Sequence, residues 1–310
     1  MKKTFAMLLV TVMMLLCCVP AMAAEDMRLI VPFGAGGGTD ALARKLADII
    51  GQQTGINIIV ENKTGGSGAV GMAEGAMAKP DGNTVTMTTV EVVLLPLAGL
   101  ASFETMDLAP ITRVNFDAAA LIVGADNKAN TLEEFVANSD ENTIIAVSAF
   151  PTNYWLCGTM LAQQSGVNFN VVEDPNGAAS EIQSLLGKQV DAIVCTMAEA
   201  AQYVKNGDFK FMAVADTVRN ANYPEIPTFT ECGYDIVVGT WRGFEVPKAT
   251  PAEKIAELNE IFTNAYNSQD FQDFLATMGF GTGYLNCEDF KALKEAQIEQ
   301  YGPVVGQFVK

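Results

Sequence analysis

Between Arg28 and Thr89 the chain alternates strand-like and helix-like stretches joined by glycine clusters, and this alternation limits the folds open to it. Arg28 to Phe33 is a strand candidate; behind it Leu42, Leu46, Ile49 and Ile50 recur at helical spacing, with Thr39 as the expected N-cap. Ile56 to Val60 is the next strand. A second cluster, Gly65 to Gly71, opens a helix that ends near Ala78, and Lys79-Pro80-Asp81-Gly82 turns the chain into the strand Thr84 to Thr89. The order β-α-β-α-β predicts a parallel sheet covered by helices.

The pattern continues to the C-terminus. Thr131 with Glu134, and Thr250 with Pro251 and Glu253, fit helix starts in which side-chain oxygens satisfy free amides. Gly187 closes a helix from Ala178 to Leu186 before the strand Val190 to Cys195, so Ile144 to Gly239 reads as a second α/β unit. Helices over Ile255 to Tyr266, Phe271 to Met278 and Phe290 to Tyr301 pack against one unit or the other. With 310 residues, 49% hydrophobic and 18% charged, the chain is long and apolar enough for two domains.

The N-terminus has its own logic. Lys2 and Lys3 precede an apolar run from Phe5 to Val19, and Ala21-Met22-Ala23 supplies a small-x-small cleavage pattern, so residues 1–24 are expected to be a secretory signal peptide. The run is shorter than the roughly 20 residues of a spanning helix, and the exported protein is expected to be soluble and periplasmic. Leu16 before Cys17 suits lipoprotein processing poorly.

Charge and composition exclude several functions. Acidic residues outnumber basic ones 36 to 19, and the net charge of −17 argues against a nucleic-acid partner, which would demand clustered Lys and Arg. Histidine is absent, which removes the commonest general base and the commonest zinc ligand together. Cys157, Cys195, Cys232 and Cys287 form no C-x-x-C pair, so no metal site is expected; whether they pair as disulfides is open. No nucleophile-base pair and no phosphate-binding lysine motif is present, so neither catalytic residues nor a cofactor are expected.

The two glycine loops carry the functional signal. Pro32-Phe33-Gly34-Ala35-Gly36-Gly37-Gly38-Thr39-Asp40 lets backbone approach a ligand closely at a helix N-terminus, where free amides can receive an anionic oxygen without any lysine. Asp40 is expected to stabilise the first helical turn. The second loop contains a formal G-x-G-x-x-G at Gly66, Gly68 and Gly71. Glu61-Asn62-Lys63-Thr64 intervenes where a dinucleotide fold requires an immediate turn, so two helix starts converging on one crevice is the better reading.

These residues bring the chain to a known family. It resembles the substrate-binding proteins of tripartite tricarboxylate transporters, the Bug or TctC-like family. Val31-Pro32-Phe33, Gly36-Gly37, Asp40, Ala43 and Arg44 meet one family pattern; Val60, Asn62, Gly65, Gly68 and Gly71 meet a second; Ala78, Pro80, Asp81, Gly82 and Thr84 meet a third. Gly187, Val190-Asp191, Pro224, Pro227-Thr228, Glu231, Gly233, Trp241, Gly243 and Pro247 continue the match in order.

The resemblance implies a type II periplasmic binding protein of class α/β, with two lobes and a ligand cleft between them: 25–121 plus 240–310, and 122–239. Its implied role is to capture a small carboxylate, as a monomer, and deliver it to the membrane subunits of such a transporter. The alternatives are a sensor presenting the bound acid to a receptor, and a histidine-free exported hydrolase. By motif, the lobe 1 ligand residues are Phe33, Ala35, Gly36, Gly38 and Asp40 with Gly66, Ser67 and Gly68; Thr88 and Thr89 could add hydroxyls.

In the second lobe the family's glycine-rich turn is replaced by Ser148-Ala149-Phe150-Pro151-Thr152-Asn153-Tyr154-Trp155, and V-P-Y-x-G by Glu173-Asp174-Pro175-Asn176-Gly177. Ser148, Phe150, Thr152, Trp155, Asp174 and Thr196 are the candidates there. The added acidity disfavours a second negative charge on the ligand, and a monocarboxylate with an apolar, aromatic or cationic tail fits, with Glu91 or Asp174 opposite an ammonium. Arg242 holding a distal carboxylate bidentately is the contrary expectation.

Overall fold

The structure is a computed structural model that describes residues 26–309; the expected signal peptide, 1–24, lies outside the described residues. Three parallel strands come first: β1 (Met27–Val31), β2 (Ile58–Asn62) and β3 (Thr84–Thr88), with β1 central. The connecting helices are α1 (Gly38–Thr54) and α2 (Ala69–Ala76), and α3 (Glu91–Leu97) follows β3. This is the β-α-β-α-β order expected from periodicity. Leu42, Leu46, Ile49 and Ile50 all face the core, which is why α1 lies on the sheet.

The strand that organises the molecule is β4 (Leu108–Gly124), which is long enough to belong to two half-sheets. Its first part runs antiparallel to β9 (Gly239–Pro247), whose other edge pairs with β3; its last part lies between β7 (Ala192–Thr196) and β8 (Phe209–Val214). Register shifts between Pro110 and Thr112 and between Arg113 and Asn115 bend it. Beyond β7 stand β5 (Ile144–Ser148) and β6 (Asn170–Asp174), parallel to one another, so the order is β2-β1-β3-β9-β4-β7-β5-β6. The architecture is the two-lobed α/β type II binding-protein fold expected from the resemblance.

Helices α4 (Leu132–Ala137), α5 (Asn153–Ser165), α6 (Ala178–Leu186) and α7 (Met197–Asn206) cover the second half-sheet. Helices α8 (Ala252–Tyr266), α9 (Gln269–Met278) and α10 (Cys287–Val305) follow β9; α8 packs with α1 on the first lobe, and α10 touches α3, β4 and α5. Two helix starts differ from expectation. Gly37, not Thr39, caps α1, and Pro251, not Thr250, caps α8, each without a side-chain cap hydrogen bond. The expected cap at Thr131 is present, its oxygen accepting from the Glu134 amide at 3.2 Å. All four described cysteines are free thiols.

One charged pair is sealed inside. Lys294 of α10 donates to Glu245 of β9 and to the carbonyl of Leu108 at 2.9 Å, while Thr88 donates to the other Glu245 oxygen at 2.6 Å; both charged side chains are fully buried. Removing one partner of a buried pair strands the other charge. We expect Lys294→Met to lower unfolding stability by about 3–5 kcal/mol in urea titrations. The Lys294→Met/Glu245→Gln double variant should recover much of that loss, and additive losses would show that the two groups do not act as a pair.

Candidate functional site

The first glycine loop leaves β1 and enters α1. Phe33 is half-buried, Gly34 to Gly37 are exposed, and Gly36 has φ +83°, a left-handed conformation that favours glycine. With no side chain capping α1, the first-turn amides at Gly38, Thr39 and Asp40 have no acceptor from the helix itself. Asp40 shapes the loop from beneath. Its carboxylate accepts from the Gly36 amide at 2.9 Å, from Asn62 at 2.8 Å and from Arg44 at 3.0 Å, and Asn62 also donates to the Phe33 carbonyl at 2.9 Å. Burial alone would raise this carboxyl; the bonds from Arg44, Gly36 and Asn62 outweigh it and hold the group below the usual carboxylate range.

The second loop, a 3-10 turn over Gly66–Gly68 leading into α2, meets the first. Gly65, Gly66, Ser67 and Gly68 all have positive φ, and α2 likewise lacks a side-chain cap. A Cβ on Gly68 would lie 3.3 Å from the Phe33 ring, and one on Gly71 would lie 2.9 Å from the Pro32 Cα. Glycine at both positions lets the two helix starts stand side by side.

Between the half-sheets is a cleft of about 350 Å³. Gly38 and Phe280 line it from the first lobe, Tyr154, Thr196 and Glu199 from the second, and Asp117, Thr240 and Arg242 from the crossing strands. Arg242 is committed on two sides: Nη1 donates to Asp117 at 2.8 Å and to Asn115 at 3.3 Å, and Nε donates to Thr39 at 3.1 Å. The guanidinium lies 5.0 Å above the Phe280 ring. A bidentate grip on a carboxylate would require two free neighbouring nitrogens, and only Nη2 has no acceptor among the described residues. The expected bidentate role of Arg242 is therefore not available in this geometry.

On the opposite wall Glu199 is exposed to the cleft and held in place. One of its oxygens accepts from the Thr196 amide at 2.9 Å, the Thr196 hydroxyl at 2.8 Å and the Tyr154 hydroxyl at 2.9 Å. Thr196 and Glu199 form the capping box of α7. Burial, then the neighbouring Glu199 charge, keeps the Tyr154 phenol protonated as a donor.

Other candidates lie elsewhere. Trp155 is 2% exposed and sits in the core, edge-on to Phe150 at 4.8 Å and to Phe308 at 4.9 Å, because its place on α5 faces the sheet. Thr88 is spent on Glu245, and Thr89 donates to Glu91. Thr152 caps α5 by accepting from the Trp155 amide at 3.3 Å. Asp174 accepts from Asn176 in its own turn at 2.9 Å. Of the second-lobe candidates, Thr196 lines the cleft. Glu199, Asp117 and Phe280 were missed, although Thr196-x-x-Glu199 is a capping-box spacing visible in the sequence.

Ser148 leads to a further acid. It donates at 2.7 Å to Glu181 of α6, which is fully buried and whose second oxygen has no partner. Burial, with lesser contributions from Asp174 and Glu199, pushes this carboxyl up to about 8. Between the ordinary glutamate value and that point the folded protein keeps a proton that the unfolded chain releases, so stability falls as pH rises through the window. Glu181→Gln should therefore show a smaller drop in melting temperature from pH 5 to pH 8 than the parent. Equal drops in a thermal-melt series would refute the assignment.

Comparison with known proteins places this geometry in a family. The profile of the tripartite tricarboxylate transporter family receptor, TctC, matches residues 42–309. A UPF0065 protein in the gbd 5' region of Cupriavidus necator is 29% identical over 285 residues, covering 89% of this chain and 86% of its own length. Protein BugT of Bordetella pertussis is 26% identical, covering 91% and 89%. Among solved structures, a TctC solute-binding protein from Polaromonas superposes with a TM-score of 0.85 at 34% identity, covering 91% of this chain and 98% of that one. The periplasmic binding protein BugD superposes with a TM-score of 0.70 at 29% identity, covering 91% and 97%. The chain belongs to the TctC family of tripartite tricarboxylate transporter receptors.

Proposed function

We propose that the protein is a periplasmic receptor that captures a small organic acid in the interlobe cleft and hands it to the membrane subunits of a tripartite tricarboxylate-type transporter, without chemistry of its own. The observation that carries this reading is the pair of uncapped helix starts, α1 and α2, packed against each other where Phe33 meets Gly68. The uncapped first-turn amides of Gly38, Thr39 and Asp40, with partial positive charge from two helix ends, suit a carboxylate, while the Gly36 amide is turned inward to Asp40 and shapes the loop. Phe33, Ala35, Gly36, Gly38, Gly66, Ser67 and Gly68 form the proposed cradle, and Asp40 braces it. The proposed lobes are 25–121 plus 240–310, and 122–239. Residues 1–24 direct export in this reading.

Two structures of the same fold give acids to try first. MatC from Rhodopseudomonas palustris, 23% identical, was solved with bound malate, and an R. palustris protein 21% identical was solved with adipate. A ligand that binds only the folded state stabilises it by RT ln(1 + [L]/Kd), about 2.7 kcal/mol at a hundredfold excess over Kd. The exported chain should melt higher with at least one acid from a panel of mono-, di- and tricarboxylates, aromatic acids and amino acids. A valine at Gly36 costs about 1–2 kcal/mol for its left-handed conformation, and its side chain would enter open space above the loop, with no atom within 4 Å of the Cβ. Gly36→Val should melt cooperatively yet show no shift with the same acid. An undiminished shift would sink the cradle assignment.

A further inference from the structure

Arg242 is the one basic side chain lining the cleft among the described residues. It is 9% exposed, so its guanidinium has given up most of its water and depends on other acceptors. Those the protein supplies lie on one side: Asp117 and Asn115 for Nη1, the Thr39 hydroxyl for Nε. Asp117 is itself held, accepting from Asn115 at 2.9 Å and from the Gly281 amide at 2.6 Å, so it fixes Arg242 and the loop after α9 together. Phe280 in that loop packs on the face of the guanidinium. What remains is Nη2, which has no acceptor among the described residues. A largely buried donor left in this state costs free energy unless something enters to accept from it.

The place of Nη2 points to what enters. A Cβ on Gly38 would lie 3.6 Å from it, and Thr39, which accepts from Nε, is the next residue of the helix. The guanidinium therefore stands beside the first turn of α1, whose amides no side chain caps. Two independent features offer donors to the same corner of the cleft: a helix end carrying roughly half an elementary charge, and a nitrogen of a full cation. We infer that Arg242 reads the ligand's charge: Nη2 donates one charge-assisted hydrogen bond to the carboxylate that the first-turn amides of α1 receive, and the site thereby selects an anion over its uncharged isostere. The inference rests on the carboxylate reading above and names the residue that makes the charge matter. Backbone amides donate to a carboxylate oxygen or to the carbonyl oxygen of a primary amide; a guanidinium bond to the anion is roughly twice as strong as its neutral counterpart. The contact is single. Nη1 and Nε keep their bonds to Asp117 and Thr39, and the second carboxylate oxygen stays on the helix amides.

The test titrates the exported chain calorimetrically at pH 7 with three acid–amide pairs: hexanoate and hexanamide, benzoate and benzamide, adipate and adipamide. At least one acid should bind the parent about tenfold or more tighter than its amide, equivalent to about 1.4 kcal/mol. Arg242→Gln should weaken that acid about tenfold and move its amide by less than about threefold, so that most of the preference disappears. The single variant strands the Asp117 carboxylate, which by itself could repel an anion. Arg242→Gln/Asp117→Asn removes that charge and keeps an acceptor for the Gly281 amide, and the loss for the acid should persist in it. Recovery of acid binding in the double variant would assign the loss to repulsion from Asp117 and overturn the inference. Equal losses for acid and amide, the mark of a distorted loop, would overturn it too, as would acid binding unchanged in both variants; each of these results leaves the carboxylate receptor standing. If no acid binds the parent, the inference falls together with the reading beneath it.

Discussion

Two antiparallel strands, β4 and β9, hold both lobes of this protein in one sheet. Because β4 pairs with β9 along its first part and with β7 and β8 along its last, the lobes share a backbone ladder and not merely a linker. Asp117 and Arg242 face the cleft from these same strands, and Arg242 reaches Thr39 at the start of α1. The two loops and the opposite wall are thus placed relative to each other by hydrogen-bonded strands. Opening and closing would have to be absorbed where β4 and β9 leave one half-sheet and enter the other, a hinge of a few residues.

Behind the cleft the C-terminal helix fastens the arrangement. Tyr301, Val304 and Val305 of α10 share an apolar cluster with Trp155 and Cys157 of the second lobe and with Val92 to Leu94 of the first. Lys294, on the same helix, neutralises Glu245 at the centre of the sheet. The strand that carries Arg242 into the cleft is therefore anchored by a buried charge on its other side. Any approach of the lobes would have to take place on the side opposite this helix.

Much of the first lobe was legible in the sequence because it is built from local signals. The periodicity at Leu42, Leu46, Ile49 and Ile50, and the turn at Lys79 to Gly82, need no knowledge of the partner strands. Thr39 and Thr250 each put a hydroxyl at a helix start, the usual mark of a cap, but glycine and proline occupy the capping positions and leave the amides uncapped. The second lobe was harder. Trp155 reads equally as a cleft aromatic or a core aromatic until its face of α5 is known. Asp117 could not be found from spacing, because its role depends on a strand pairing across more than a hundred residues of chain with Arg242. Glu181 gave no signal either, since a glutamate in a first helical turn looks like an ordinary solvated charge.

The brace beneath the first loop has a consequence for how a ligand would be received. Asp40, Asn62 and Arg44 fix the path of Gly36 and Phe33 through protein–protein hydrogen bonds alone, with no ligand taking part. In the proposed cradle a carboxylate would meet a loop whose path is already set and would not have to order it, which would remove a conformational cost that otherwise weakens binding. Discrimination among acids would then fall to the opposite wall, with the braced loop supplying the part of the site common to all of them.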